Sequence, residues 1–299
     1  MIVSVSRRTD IPAFYSRWFF ERLRAGHCLA ANPFNPKQLR KVPLTPEEAA
    51  FVFWTKNPAP MLPYLPRLRP YAFYFQCTVT PYGRLLEPHL PEKRVVVQAV
   101  QRLAEAVGPE RVVWRFDPLL FGGAYTPEWH ANEFARLAPV LQRHVAKCVV
   151  SFYDPYKSSE KRLAPLGLRP PNRQELWQTA KALAAAAQQL GLRLESCAEP
   201  DDLSRLGIFP GACVDTALLQ GPLGPVEAKK DKNQRKACGC AASVDIGAYN
   251  TCPAGCLYCY ATHGSGQRAS RFCRGFAGEG PLLGQAKNQD EALKFFSTP

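Results

Sequence analysis

Residues 72–83 read AFYFQCTVTPYG, an apolar run that ends abruptly in turn-forming residues. The next segment, about 92–107, has the spacing of an amphipathic helix and stops at a Gly-Pro pair. A second apolar run covers 111–116 and ends at an Asp-Pro pair. A strand, a helix and another strand in this order form the unit from which parallel sheets are built. This stretch therefore predicts a parallel α/β fold.

The same alternation continues on both sides of this unit. Further apolar runs occupy 2–5, 51–54, 147–153 and 192–197, with predicted helices at about 14–25, 127–143 and 173–190. Residues 200–237 are predicted to be rich in loops, and SVDIGAY at 243–249 reads as one more short strand. With about six strand–helix units, a (β/α) barrel or an open barrel is the economical arrangement. We predict one barrel-like domain over residues 1–260 and a C-terminal tail over 261–299 that carries one helix.

Composition and charge set the broad class. The chain has 299 residues, of which 46% are hydrophobic, so it can bury a large core. It contains no apolar run of 18 residues, and its start becomes charged after six residues, which predicts a cytoplasmic protein with no membrane partner. The formal net charge of +13 favours an anionic partner such as nucleic acid, or else reflects an Arg-rich surface. Both interpretations stay open at this point.

The cysteines give the most specific signal. A cytoplasmic chain with eleven Cys keeps them reduced, which favours metal or catalytic roles over disulfides. Residues 252–260 read CPAGCLYCY, and the proline and glycine exclude an ordinary helix, so the segment is predicted to be a compact loop. Its three thiols, Cys252, Cys256 and Cys259, are too few for a structural zinc site but complete a cubane iron–sulfur cluster with one open iron. The alternative is zinc, with Cys238, Cys240 or Cys252 completing the pair Cys256 and Cys259.

The longer run Tyr249–Ala261, YNTCPAGCLYCYA, resembles the cluster loop of the radical SAM superfamily, especially that of its spore-photoproduct-lyase-like members. The chain as a whole is also similar to a bacterial family catalogued as a domain of unknown function. That family opens with an SRRTDIPAFY segment and closes with the same Cys loop, so the likeness runs from about Ser4 to Ala261.

The superfamily resemblance implies a 4Fe–4S cluster on Cys252, Cys256 and Cys259, with S-adenosylmethionine (SAM) on the fourth iron and a reductant such as ferredoxin or flavodoxin. It places Tyr258 near the adenine. In that superfamily the Cys loop follows the first strand, whereas here it comes about 250 residues into the chain. If residues 243–249 are that first strand, the barrel is circularly permuted and residues 2–5 are its second strand. The nearest counterpart of the superfamily's methionine-binding Gly-Gly-Glu segment is AGEG at 277–280.

Polar and charged residues follow the predicted strands, where parallel barrels place their active sites. A bidentate guanidinium suits the methionine carboxylate, and Arg7 and Arg8 are the candidates for that role. Candidate catalytic residues at the strand ends are Arg7, Arg8, Asp10, Asp117 and Glu199.

A second set of cysteines is predicted to come together on the same rim: Cys197, Cys213, Cys238 and Cys240. Four converging thiols are suited to a second iron–sulfur cluster or a zinc ion. The alternative for this set is a group of structural or redox-active thiols.

Two functions therefore stand at this stage. The first is an iron–sulfur enzyme of radical SAM type that acts on an unidentified substrate, for which an anion is the favoured class. The second is an iron–sulfur or zinc protein that transfers electrons or binds nucleic acid, because Trp54, Tyr74, Arg115 and Tyr153 combine aromatic and basic groups.

Overall fold

The computed structural model describes residues 1–263 and 280–283. Its centre is one eight-stranded sheet in which every neighbouring pair of strands is parallel. Its strands are β1 (Ile2–Val5), β4 (Ala50–Thr55), β5 (Phe73–Thr78), β6 (Val112–Leu119), β7 (Lys147–Phe152), β8 (Leu194–Ser196), β9 (Ile208–Pro210) and β12 (Val244–Asp245). The order across the sheet is β12-β1-β4-β5-β6-β7-β8-β9, so the last strand of the described residues lies beside the first.

The two faces of the sheet are covered differently. On β4, Phe51 and Phe53 pack in the larger core, which also contains side chains from the helices, while Val52 packs in a separate cluster. This alternation follows from the two-residue period of a strand. The second cluster is covered by residues between 213 and 241 rather than by helices, and we call this side of the sheet the inner face.

Within the described ranges, six α-helices accompany the strands. The longest, α6, begins at a capping box in which Asn172 accepts from the backbone of Glu175 and the Glu175 side chain accepts from the backbone of Asn172. The helices are α1 (Ile11–Phe14), α2 (Ser16–Arg24), α3 (Lys93–Val107), α4 (Pro127–Leu141), α5 (Lys157–Leu163) and α6 (Arg173–Gln189).

Two small sheets were not predicted. The antiparallel hairpin of β2 (His27–Asn32) and β3 (Asn35–Pro43) follows α2, and β10 (Gln220–Gly221) pairs with β11 (Gly224–Pro225). Residues 280–283 lie against the first hairpin, where the Leu29 amide donates to the Pro281 carbonyl at 2.7 Å.

The parallel α/β fold is confirmed, and the barrel is the finer part of the prediction that the structure does not show. Within residues 1–263 and 280–283, β9 and β12 are the two edges of the large sheet and closure between them is not detected. The predicted strand at 243–249 is also shorter, because only Val244–Asp245 pair with β1. The helix predicted in the tail falls outside the described residues. In the part of the chain that is described, no helix has the length and apolarity to cross a membrane.

Candidate functional site

Asp245 fastens the edge strand β12 to the start of the chain. Burial opposes ionisation of this carboxylate, but the charge of Arg8 and the donors around it outweigh burial and keep its pKa below the usual range. Its two oxygens accept hydrogen bonds from the hydroxyls of Ser4 (2.9 Å) and Ser6 (2.5 Å), the amides of Arg7 (2.8 Å) and Gly247 (3.0 Å), and Arg8 Nε (3.2 Å). Asp245 was not among the predicted site residues. A carboxylate within a predicted apolar strand nevertheless indicates a buried polar contact, so the sequence offered a reason to include it.

Hydrogen bonds from the N-terminal segment hold the chain as it leaves β12. The Thr9 hydroxyl donates to the Ala248 carbonyl at 2.8 Å and lies 2.6 Å from the Thr251 hydroxyl. The Tyr15 hydroxyl donates to the Thr251 carbonyl at 2.5 Å. Gly247 is required here because a Cβ at that position would lie 2.1 Å from Ser6 Oγ. These contacts place the Cys loop at the carboxyl end of β1.

Arg162 of α5 holds the other side of the Cys loop. Its guanidinium donates to the carbonyls of Leu257 (2.9 Å), Cys259 (2.5 Å) and Thr262 (2.6 Å). Gly255 adopts a φ of +68°, a conformation that favours glycine, and permits the turn between the first two cysteines. The loop is thus fixed by backbone contacts, which leaves its cysteine side chains available for ligation.

The three thiols of the loop neighbour one another. Cys256 is buried, while Cys252 and Cys259 are partly exposed. Burial raises the pKa of Cys252 to about 12, and the nearby Asp10 and Cys259 act in the same direction. Burial likewise raises the pKa of Cys256 well above its usual range, with Cys259 and Cys252 among the neighbouring negative groups. Across residues 1–263 and 280–283, no three His, Cys, Asp or Glu side chains form a group that could hold a metal ion.

A buried ion-pair network lies beside Cys256 and centres on Glu87. This carboxylate pairs with Lys56 at 2.9 Å and with Lys93, and it accepts hydrogen bonds from Thr80 at 2.7 Å and from the Tyr258 hydroxyl. Burial alone would raise the pKa of Glu87, but the two ammonium groups outweigh it and lower the pKa to about 2. Glu87 was not predicted, because its partners Lys56 and Tyr258 lie 31 and 171 residues away from it in the chain.

Tyr258, predicted to contact an adenine, belongs to this network. Its hydroxyl is bound to Glu87, the residue is 8% exposed, and Lys56 Nζ lies 5.2 Å from the centre of its ring. An adenine could therefore contact only the small exposed part of the Tyr258 side chain, whose hydroxyl is already bound to Glu87.

Asp10 caps α1 and reaches the neighbouring strand end. One carboxylate oxygen accepts from the Ala13 amide at 3.0 Å and the other from the Lys56 amide at 2.7 Å. Burial raises the pKa of Asp10 to about 6, despite these donors. Asp10 thus positions the β1 and β4 ends, and it is close enough to Cys252 to raise the pKa of that thiol.

Arg7 and Arg115 stack on the same indole at the inner face. Their guanidinium carbons lie 5.7 Å and 5.3 Å from the ring centre of Trp54. Arg115 also pairs with Asp117, which accepts from the Ser151 hydroxyl at 3.2 Å. Of the predicted catalytic residues, Arg7 lies over the Trp54 ring and Asp117 pairs with Arg115, whereas Arg8 is bound to Asp245.

Glu199 lies further along the sheet, after β8. Its carboxylate accepts from the Phe152 amide at 2.9 Å. Burial raises the pKa of Glu199 to about 7, and the negative charge of Asp154 adds to this. Glu199 is thus a proton-binding group near neutral pH that anchors the end of β7.

The Glu199→Gln variant should reduce the pH dependence of folding. A carboxyl whose pKa is raised in the folded state stabilises the fold below the unfolded value of about 4.5, and this stabilisation is lost as pH rises through about 7. The free energy of unfolding of the parent should fall between pH 5 and pH 8. We expect the fall in the variant to be smaller by about 1–2 kcal/mol. Urea unfolding at both pH values measures this, with the exposed Glu227→Gln as control. An unchanged slope would contradict the assignment.

The second set of cysteines comes together on the inner face, with Cys197 directly after β8. The thiol sulfurs of Cys197 and Cys213 are 2.9 Å apart, and Cys240 Sγ accepts from the amides of Cys213 (3.2 Å) and Val214 (3.4 Å). Cys238 is buried in the same cluster. The reason for this location is that β5 binds the Cys213 carbonyl through the side chains of Tyr74 (2.6 Å) and Gln76 (2.7 Å). Gln76 is itself fully buried in this contact.

Cys213 has the most polar surroundings of the four thiols in this set. Arg115 Nη1 lies 2.7 Å from its sulfur. Hydrogen bonds from the thiols of Cys197 and Cys240, together with the Arg115 charge, hold the pKa of Cys213 well below its usual range although burial opposes this. The same hydrogen bonds to Cys213 raise the pKa of the donor thiols, Cys197 and Cys240. The inner face therefore favours the thiolate at Cys213 and the protonated thiol at Cys197 and Cys240.

These features define an α/β protein with a parallel sheet, a three-cysteine loop after its edge strand and a thiol cluster on its inner face. The chain belongs to the family described as "Domain of unknown function (DUF1848)", whose model matches residues 2–261. No curated protein matches the chain.

Proposed function

We propose that this chain is an iron–sulfur enzyme of radical SAM type, in which Cys252, Cys256 and Cys259 hold a 4Fe–4S cluster. The observation that carries the proposal is the place of the Cys loop. It follows β12, the first strand across the parallel sheet, and β12 pairs with β1. The loop thus occupies the position that follows the first strand in a circularly permuted sheet.

The donor set fits such a cluster. The loop supplies three thiols on a backbone fixed by Arg162 and by the N-terminal segment. Each thiolate of a cubane binds a different iron, so the three need not converge on one point as they must around a single zinc ion. When bound, the cluster and an external reductant such as ferredoxin or flavodoxin supply the electron that cleaves SAM.

The side chains around the loop have separate roles in this proposal. Arg7 is the better candidate for the methionine carboxylate, because the Arg8 guanidinium is bound to the side chain and the carbonyl of Asp245. Burial would lower the pKa of Lys56, but Glu87 and Cys256 raise it, so a positive charge persists beside the thiols. That charge opposes the negative charge of a three-thiolate site. The net charge of +13 favours an anionic substrate. The AGEG segment at 277–280 falls outside the described residues except for Gly280.

Metal analysis and SAM turnover test the proposal together. We expect protein purified and reconstituted without oxygen to hold about four iron and four sulfide per Cys loop, and to release 5′-deoxyadenosine when dithionite and SAM are added. In Cys256→Ala both the iron bound by the loop and the product should be lost. The matched control is Cys28→Ala, which removes a buried cysteine of the β2–β3 hairpin.

Two outcomes would contradict the proposal. An intact cluster that yields no 5′-deoxyadenosine would point to electron transfer or nucleic-acid binding, and a binding constant that falls steeply with salt would identify the latter. Zinc in place of iron in anaerobically prepared protein would show that the loop is a zinc site.

A further inference from the structure

The inner face holds two reduced cysteines in direct contact. Cys197 and Cys213 are 16 residues apart in the chain, and their sulfurs are separated by 2.9 Å. A disulfide bond measures about 2.05 Å, so the sulfurs would have to approach by less than about 1 Å to form one. The two thiols are therefore close enough to form a disulfide after a small movement.

Both cysteines are held in place by their backbones. The Cys197 amide donates to the Val150 carbonyl at 2.9 Å, and the Cys213 carbonyl accepts from Tyr74 and Gln76. Each backbone is thus tied to a neighbouring strand of the large sheet. The short distance between the sulfurs therefore follows from the fold.

The two thiols differ in access and in charge. Cys197 is partly exposed, whereas Cys213 is 5% exposed. The Arg115 guanidinium lies 2.7 Å from Cys213 Sγ, which favours the thiolate at the buried position. Cys197 is thus the more exposed residue of the pair, and the Cys213 sulfur lies next to it at the buried position.

We propose that Cys197 and Cys213 form a redox-active dithiol that delivers an electron pair to a disulfide presented at the inner face. The Cys197 sulfur attacks one sulfur of the external disulfide, its proton is released, and the first external thiolate leaves. The Cys213 thiolate then attacks Cys197 Sγ, the mixed disulfide breaks, and the second external thiolate leaves. The two cysteines are oxidised to one disulfide and the external disulfide is reduced to two thiolates. The proton released by Cys197 is taken up by one of these thiolates, and a solvent proton neutralises the other.

The surroundings favour this chemistry over a second metal site. A cationic guanidinium lies against the Cys213 sulfur, where a metal ion would have to bind. The described residues contain no group of three or more ligands suited to an ion. The proposal does not depend on the cluster of the Cys loop, because it concerns different cysteines.

Peptide mapping can test the pair directly. Cleavage after Lys and Arg places Cys197 in LESCAEPDDLSR (194–205) and Cys213 in LGIFPGACVDTALLQGPLGPVEAK (206–229), each with a single cysteine. Full-length protein purified without oxygen would be equilibrated with glutathione buffers of increasing disulfide content, quenched in acid and alkylated. We expect these two peptides to become linked, up to one bond per chain, and the link to disappear with dithiothreitol.

A second arm would use oxidised thioredoxin as a protein disulfide in place of glutathione disulfide. Linkage with glutathione disulfide supports a small-molecule partner, and linkage with thioredoxin alone supports a protein partner. Cys197→Ser and Cys213→Ser should abolish the link, whereas Cys238→Ser should retain it. The unsubstituted chain decides the question even if a variant fails to fold.

Three results would overturn the proposal. Cys197 and Cys213 could stay fully alkylated at every glutathione ratio and with thioredoxin, which would make them structural thiols. Cys213 could instead link to Cys240. Finally, bound metal that is lost from Cys213→Ser but retained in Cys256→Ala would show that the inner face holds an ion.

Discussion

Glu87→Gln should lower the free energy of unfolding by about 3–5 kcal/mol, because it leaves two cations at a buried site without their counter-charge. The Glu87 side chain is 1% exposed, and those of its partners Lys56 and Lys93 are 16% and 21% exposed. Water screens such pairs poorly, so the loss should be far larger than for a surface ion pair. Urea denaturation at pH 7 measures it.

The matched control is Glu92→Gln, whose carboxylate is 66% exposed and pairs with Arg94 at 3.8 Å. It should change the unfolding free energy by less than about 0.5 kcal/mol. In the double variant Glu87→Gln, Lys93→Met, part of the loss should be recovered because one uncompensated charge is removed. Equal effects of Glu87→Gln and Glu92→Gln would contradict the network.

The same carboxylate predicts a pH dependence. Its pKa is about 2 in the folded chain against about 4.5 when unfolded, so its contribution is present above 4.5 and is lost as pH falls towards 2. Between pH 4.5 and pH 2, the free energy of unfolding should therefore fall by about 3 kcal/mol more in the parent than in Glu87→Gln. Parallel acid titrations of the two proteins, followed by circular dichroism, give the difference.

The apolar strands could be predicted because each is a continuous run that is buried on both faces of the sheet. The hairpin was missed because β3 carries NPKQLRKVP, which is mostly exposed and has no apolar alternation. Strand β9 was missed because it has only three residues, of which two are exposed. A strand is recognisable in a sequence when its buried side chains give an apolar run or an apolar–polar alternation. β3 and β9 bury few side chains, so they show neither pattern.

Part of the candidate site could likewise be predicted from the sequence, and part could not. The Cys loop could be recognised because its three ligands are close in sequence. Glu87 binds Lys56 and Lys93 through ion pairs and Tyr258 through a hydrogen bond. Asp245 binds residues 4–8, which lie near the start of the chain and about 240 positions away from it. Spacing along the chain holds no information about such contacts. For the second cysteine set, sequence pointed to convergence but not to the inner face, which is determined by the side chains of Tyr74 and Gln76.

Asp245→Asn should weaken both the fold and the Cys loop. The substitution keeps the shape of the side chain but removes the charge that is paired with Arg8 and close to Arg7. The Arg8 and Asp245 side chains are 11% and 14% exposed, so we expect the free energy of unfolding to fall by about 3 kcal/mol. The exposed Asp202→Asn is the control and should leave the unfolding midpoint unchanged.

The effect of Asp245→Asn on the loop separates a local role from general destabilisation. Strand β12 pairs with β1 through only two residue pairs, Val3 with Val244 and Ser4 with Asp245, so the carboxylate supplies much of its attachment. Hydrogen exchange at the Ile246 amide, which donates to the Ser4 carbonyl at 3.1 Å, should accelerate more than exchange in β5 and β6. Iron bound by the loop should fall in parallel, and restoring bulk stability with glycerol should not recover it. If exchange instead accelerates equally across the whole sheet, Asp245 stabilises the fold in general and does not position the Cys loop.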